Sequence, residues 1–288
     1  MFNKKSFFNL LKGALIGVSM IIPGVSGGTV AVLLNIYNEL IEAITNLKSS
    51  FKKSICFLAP IGIGMILAFA AMYFPLKLAL KYVPLEIISL FAGLMVGSLP
   101  NLYRNALKNG YKKFDFMAII LPFITVIGIC FIPGLKAVNL TSSLKPYMYI
   151  ILILVGILAS VALVVPGISG SMLLLILGFY EPLLNTISGI KTAPIHSILV
   201  LCLFIIGLLI GFFTIARLMK YLLNKIPRII TWIIFGFVVG SIIAIYLSLD
   251  YKMINIDVIG IVLSILLVFV GMFLSYKLIS MVSNKESD

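Results

Sequence analysis

The chain has 288 residues, 62% hydrophobic and 11% charged, with a formal net charge of +13 and a mean hydropathy of +1.22. Soluble domains carry about 25% charged residues, so this composition excludes an ordinary soluble fold. The bases lie in short segments between apolar runs, which makes the positive charge a matter of membrane topology and not of nucleic-acid binding.

Apolar runs recur along the whole length, at about the 20 residues that a bilayer-crossing helix needs. Residues 1–288 are therefore read as a single all-α integral membrane domain. Residues 1–28 imitate a signal peptide, with Lys4 and Lys5, an apolar run and then small residues. That reading fails, because a similar segment returns in mid-chain. The first run, 8–47, is interrupted by Pro23-Gly24-Val25-Ser26-Gly27-Gly28-Thr29, and runs 55–79, 85–103 and 116–135 follow. The run 147–187 is interrupted by Pro166-Gly167-Ile168-Ser169-Gly170-Ser171, and runs 195–219, 229–247 and 256–279 follow it.

A shift of 143 positions superposes the two series without a gap. It places Gly13 on Gly156, Pro23 to Gly27 on Pro166 to Gly170, and Tyr37 on Tyr180. It also places Pro84 on Pro227, Gly93, Gly97 and Ser98 on Gly236, Gly240 and Ser241, and Gly128 on Gly271. Glycine and proline carry much of the match, so backbone geometry is what is shared. Residues 1–143 and 144–288 are read as repeats.

The charge bias decides how the interrupted runs lie. If each is a re-entrant hairpin and the N-terminus is inside, 16 bases fall inside and 6 outside; single crossings would give 13 and 9. The hairpin arrangement is preferred. Each half then has one re-entrant helical hairpin plus three transmembrane helices. Three is odd, so the halves face opposite ways in an inverted-topology repeat, with both termini cytoplasmic.

Non-helical backbone at membrane depth is tolerated only where it is buried or lines a polar cavity. The tips offer N–H groups and the hydroxyls of Ser26, Thr29, Ser169 and Ser171, with Gly27, Gly28 and Gly170 allowing close approach. That combination suits an anion. A tight helix crossing is the plain alternative for glycines in a membrane, but two such tips at equivalent places favour a substrate site. Tyr37 and Tyr180 follow the tips and either line the cavity or pack. Glu39 and Glu181 are candidates for coupling charge, and Glu42 reads as an interfacial acid. Arg217 either meets a phosphate or snorkels to the interface. Gly93-xxx-Gly97, Gly207-xxx-Gly211 and Gly236-xxx-Gly240 read as packing faces. Trp232 reads as an interface anchor, and Cys56, Cys130 and Cys202 as small buried apolar residues. The single His196 cannot build a multi-histidine site, and neither metal nor cofactor is expected. Asn139-Leu140-Thr141 is a weak sequon match.

The paired tip motifs resemble those of the PopT-like polyprenyl-phosphate translocases. The likeness extends to Gly178-Phe179-Tyr180-Glu181-Pro182 and to Gly93 through Ser98. It implies a non-enzymatic transporter in the plasma membrane of a bacterium. Such a protein returns undecaprenyl phosphate from the outer to the inner leaflet for reuse in cell-envelope synthesis. It carries the substrate role onto Ser26, Gly27, Gly28 and Thr29, and onto Ser169, Gly170 and Ser171. Membrane lipids surround it, and protons or another ion are candidate coupling partners. The chain departs from the family at Ser19-Met20 and at Asn35 to Glu39, where the family often places other charges. Two rivals remain. One is a small-anion transporter. The other is an undecaprenyl-diphosphate phosphatase, whose Pro-Gly-x-Ser-Arg-Ser-Gly motif clamps phosphate with an arginine; Gly27 and Gly170 stand at that place here.

Overall fold

The computed structural model describes residues 4–20, 26–132, 138, 140, 146–189, 192–247, 249 and 257–283. Those residues form helices and no strand. The first half holds α1 (Lys4–Ser19), α2 (Gly27–Leu33), α3 (Tyr37–Thr45), α4 (Phe51–Tyr82), α5 (Pro84–Lys108) and α6 (Asp115–Cys130). The second holds α7 (Pro146–Val164), α8 (Gly170–Ile176), α9 (Tyr180–Ser188), α10 (Pro194–Lys225), α11 (Pro227–Leu247) and α12 (Val258–Ser283).

Some helix boundaries recur at a spacing of 143 residues. Helices α8, α9 and α10 each begin and end 143 positions after α2, α3 and α4. Pro84 and Pro227 open equivalent helices, where the missing N–H costs nothing and the fixed φ suits the first turn. The short turns within the broken runs also match. Asn35 has φ 55° and its counterpart Gly178 has φ 73°. Asn35 N–H donates to Val32 O and Ile36 N–H to Ala31 O, while Gly178 and Phe179 make the equivalent bonds to Leu175 and Leu174. Both are Schellman caps, which need a left-handed residue just past the helix.

The interrupted runs therefore become three helices each. Among the described residues six helices are long and apolar enough to cross a bilayer: α4, α5, α7, α10, α11 and α12. Helix α6 has 16 residues, about 24 Å at 1.5 Å per residue. Many large apolar side chains stand exposed, among them Ile66, Phe74, Phe269 and Phe273. An aqueous surface would not carry so many, whereas lipid welcomes them. The chain is a multi-pass membrane protein.

Small residues set the helix crossings. A Cβ on Gly13 would collide with the backbone of Ile61, and one on Gly156 with that of Phe204, its repeat counterpart. Gly64 meets Leu10 and Gly207 meets Ile153 in the same way. So α1 packs on α4 as α7 packs on α10. The remaining long helices pair across the halves: α5 with α12 through Gly93 and Gly271, and α11 with α6 through Gly236. Helices α5 and α11 also touch each other.

Two expectations are corrected. Trp232 is not an interface anchor. It is 1% exposed, its Nε1–H donates to Gly110 O at 3.0 Å, and Tyr103, Tyr111 and Phe235 surround it edge-on. The turn at Gly110 supplies the indole's partner, so burial leaves no polar group stranded. Cys56 and Cys202 are exposed and Cys130 is half-buried, and none is bonded to another.

Candidate functional site

Helix α7 ends at Val164, inside the protein, and its last carbonyls have no partner within the helix. The first half supplies partners. Ser26 Oγ donates to Ala162 O at 3.1 Å and Tyr37 Oη donates to Val164 O at 2.9 Å. Just beyond the helix, Gly167 N–H donates to Thr29 Oγ1 at 2.7 Å. Ser241 Oγ donates to Phe237 O at 2.7 Å, with Gly167 O at 3.3 Å. The site is thus built from residues of both tips. Water is excluded from it: Thr29 is 0% exposed, Ser26 3% and Ser169 7%.

Glycine geometry makes this approach possible. Gly167 has φ +89°, and a Cβ there would lie 2.8 Å from Phe237 Cβ and Phe237 O. Only glycine tolerates both conditions. A Cβ on Gly28 would come within 3.3 Å of Val164 O and 3.4 Å of Pro166 N. Gly27 faces Ile16, and Gly170 has ordinary contact with Ala162.

The anticipated residues are only partly gathered. Ser26, Gly28, Thr29 and Tyr37 meet the stretch Ala162 to Gly167. Ser169 is buried nearby on the chain, and Tyr180 is half-buried at the start of α9. Pro23, Gly24, Val25 and Asn139 lie outside the described residues, as do the side chains of Ser171 and Glu181. Arg217 stands exposed on α10, away from the tips' hydrogen bonds. Glu39 and Glu42 are exposed and line a cavity of about 670 Å³ between α1, α3 and α4, with Asn9, Asn46, Lys53 and Ser54. At its rim, Lys220 Nζ of α10 donates to Asn46 Oδ1 at 2.7 Å.

Sequence reasoning missed the engagement of the tip hydroxyls with α7, because a hydroxyl's partner 136 or 127 positions away leaves no local pattern. It also missed Asn9 and Ser54. Asn9 falls on Leu152 in the repeat, so no paired signal marked it. The Arg228–Asp115 ion pair, 3.4 Å from Nε to Oδ2, joins the starts of α11 and α6 and was likewise unseen.

The family model described as undecaprenyl phosphate translocase-like matches residues 16–263. The chain belongs to that family. A polyprenyl-phosphate transporter of Staphylococcus aureus is 32% identical over 83% of this chain and 86% of its own length. A polyprenyl-phosphate transporter of Vibrio cholerae is 27% identical over 81% of this chain and 75% of its own length. No solved structure matches the chain.

Proposed function

We propose that this protein is a flippase that carries undecaprenyl phosphate from the outer to the inner leaflet of a bacterial plasma membrane. It thereby recycles the lipid carrier of cell-envelope synthesis, including that of peptidoglycan. The family and the two named relatives support polyprenyl phosphate as cargo. The observation that carries the mechanism is the bonding of the two tips to each other.

The hydroxyls that suit a phosphate are occupied in this conformer. Ser26 and Tyr37 donate to α7 carbonyls, and Gly167 N–H donates to Thr29. Parting the tips frees two O–H donors and one N–H donor at one place. A phosphate head group accepts all three, and charge-assisted bonds are stronger than the neutral bonds they replace. The head group and the opposite tip thus compete for the same donors. The polyprenyl tail stays with the lipid-facing apolar surface. In this reading each interrupted run is a re-entrant hairpin, the halves are inverted and both termini are cytoplasmic. Access then alternates as one hairpin docks and the other parts.

The test is leaflet exchange of undecaprenyl phosphate in liposomes holding the purified protein, read by a head-group probe confined outside. Exchange should require the protein and should fall at least tenfold in the Ser26→Ala/Ser169→Ala double variant. Exchange that persists in the variant moves the site away from the tips. A folded protein that exchanges nothing, with or without an ion gradient, removes the lipid reading and promotes small-anion transport.

A further inference from the structure

The two helix pairs that cross between the halves can be compared end for end. Gly93 faces Val268 and Gly97 faces Met272, so α5 and α12 run parallel and begin at the same end. Gly236 faces Ile119 and Gly240 faces Phe123, so α11 and α6 do likewise. The Arg228–Asp115 ion pair joins the first turns of α11 and α6. At the equivalent joint of α5 and α12 stand Glu86 and Asp257, each within one position of a repeat counterpart. A Cβ on Gly260 would lie 2.8 Å from Asp257 Oδ1 and 3.0 Å from Glu86 Oε1. The two oxygens are therefore within about 6 Å of each other, where like charges repel. One joint is closed by opposite charges, and the other gathers two carboxylates.

Among the described residues neither acid forms an ion pair. Asp257 Oδ1 accepts Gly260 N–H at 2.8 Å, capping α12, and its second oxygen and the Glu86 carboxylate have no such bond there. Lys81, at the end of α4, lies over the Tyr82 ring. Arg104, Lys108, Arg228 and Lys277 stand at the opposite end of α5, α11 and α12. The side chain of Lys77, and Asp250 and Lys252 with their opposite charges, lie outside the described residues. A second observation comes from one turn deeper. Ser264 is 6% exposed, and its Oγ has no hydrogen-bond partner, where a buried hydroxyl is normally satisfied. It follows Gly260 by one turn and precedes Val268 by one turn, so it lies in the seam with α5. Helical side chains lean toward the N-terminus of their helix, which aims Ser264 at the carboxylates.

We infer that the joint between the first turns of α5 and α12 binds a hard divalent cation, Mg²⁺ or Ca²⁺, through Glu86 and Asp257 with Ser264 as the inner ligand. Donors that are all oxygen suit such an ion, and two carboxylates match its charge. Among the described residues no group of three His, Cys, Asp or Glu side chains is placed to hold a metal ion. Water therefore completes the shell, and the affinity is about millimolar, as in weak extracellular sites. The ion does for α5 and α12 what Arg228 does for α11 and α6: it ties a helix of the first half to one of the second. On the proposed topology this joint faces the cell exterior, but the binding does not depend on that topology.

The experiment needs no lipid substrate. Thermal unfolding of the whole protein in detergent is followed by the fluorescence of Trp232, its single tryptophan. MgCl₂ and CaCl₂ are each titrated against choline chloride of matched ionic strength. The midpoint should rise with at least one divalent cation and saturate, as mass action on a folded-state site demands. Glu86→Gln should need at least about tenfold more cation. Ser264→Ala should need about threefold more, yet unfold no earlier without the cation, because the stranded hydroxyl is gone. Glu86→Arg builds in the missing positive charge. It should raise the midpoint in choline and abolish the divalent response. A midpoint that rises equally in choline, or that neither divalent cation moves, overturns the proposal. So does an unchanged response in Glu86→Gln. Leaflet exchange is measured separately, so failure here leaves the transport reading standing, and failure there leaves this site standing.

Discussion

The two interrupted runs share a backbone plan and differ in what they touch. In the first half, α2 packs against α7 and α3 against α10. In the second, no comparable packing joins α8 to α1 or α9 to α4 among the described residues. The long helices record the same difference. Ala216 of α10 is 0% exposed, whereas Tyr73, its counterpart on α4, is 37% exposed. The cavities differ too. Asn9 and Ser54 line open space in the first half. The equivalent region of the second is filled by Leu140, Leu152, Phe179, Leu183 and Val200. His196, the counterpart of Lys53, has Nε2 at 2.7 Å from Leu140 O and so helps seat that filler. The two halves share where the chain turns and differ in what fills and packs against those turns.

The largest test of this comparison attacks what the halves share. Gly13→Ile and Gly156→Ile should each drive a side chain into a neighbouring helix backbone. Each should cost more than about 3 kcal/mol, seen as loss of monodisperse protein on size-exclusion chromatography. A tolerated substitution in one half alone would break the shared crossing.

The next tests address what the halves do not share. Thr29→Val keeps the shape but leaves Gly167 N–H buried without its acceptor. It should destabilise by about 1–3 kcal/mol in thermal unfolding. Met172, the counterpart, carries no hydroxyl, so Met172→Leu should change stability by less than about 0.5 kcal/mol. Tyr37→Phe removes the bond to Val164 O and should cost about 1 kcal/mol, while Tyr180→Phe should fall within about 0.5 kcal/mol. Equal effects at the two tyrosines would mean that both interrupted runs pack alike.

The smallest effect lies at the rim. Asn46→Ala breaks the bond from Lys220 and should cost about 0.5 kcal/mol. Its sharper readout is a cysteine pair at positions 46 and 220, which should cross-link readily. On the proposed alternating mechanism, a pair at the counterparts 189 and 77 should cross-link only in the opposite state. Undecaprenyl phosphate added at saturation should shift the balance between the two pairs.

Much of the fold was legible because it rests on backbone chemistry. Pro84 and Pro227 announce helix starts, and the glycine series announces close crossings, since no other residues serve there. Three helix pairs, α2 with α8, α3 with α9 and α4 with α10, keep both boundaries 143 positions apart. Side-chain partnership was not legible. Ser26 and Ser169 read as equals in the sequence, yet the partner of Ser26 is a carbonyl on another helix. A periodic pattern does not report a partner 136 positions away. Asn9 was hidden for the opposite reason: it breaks the repeat, so a comparison of halves passes over it. Trp232 was misread because an amphipathic ring at a helix start satisfies the rule for interfaces and the rule for buried cores equally well.

The exchange of partners between halves has a consequence for biosynthesis. Helix α5 finds its main neighbour in α12, at the far end of the chain, and α6 finds its own in α11. A ribosome that has delivered only the first half has left two helices unmatched in the bilayer. Final assembly therefore waits until the last helix emerges.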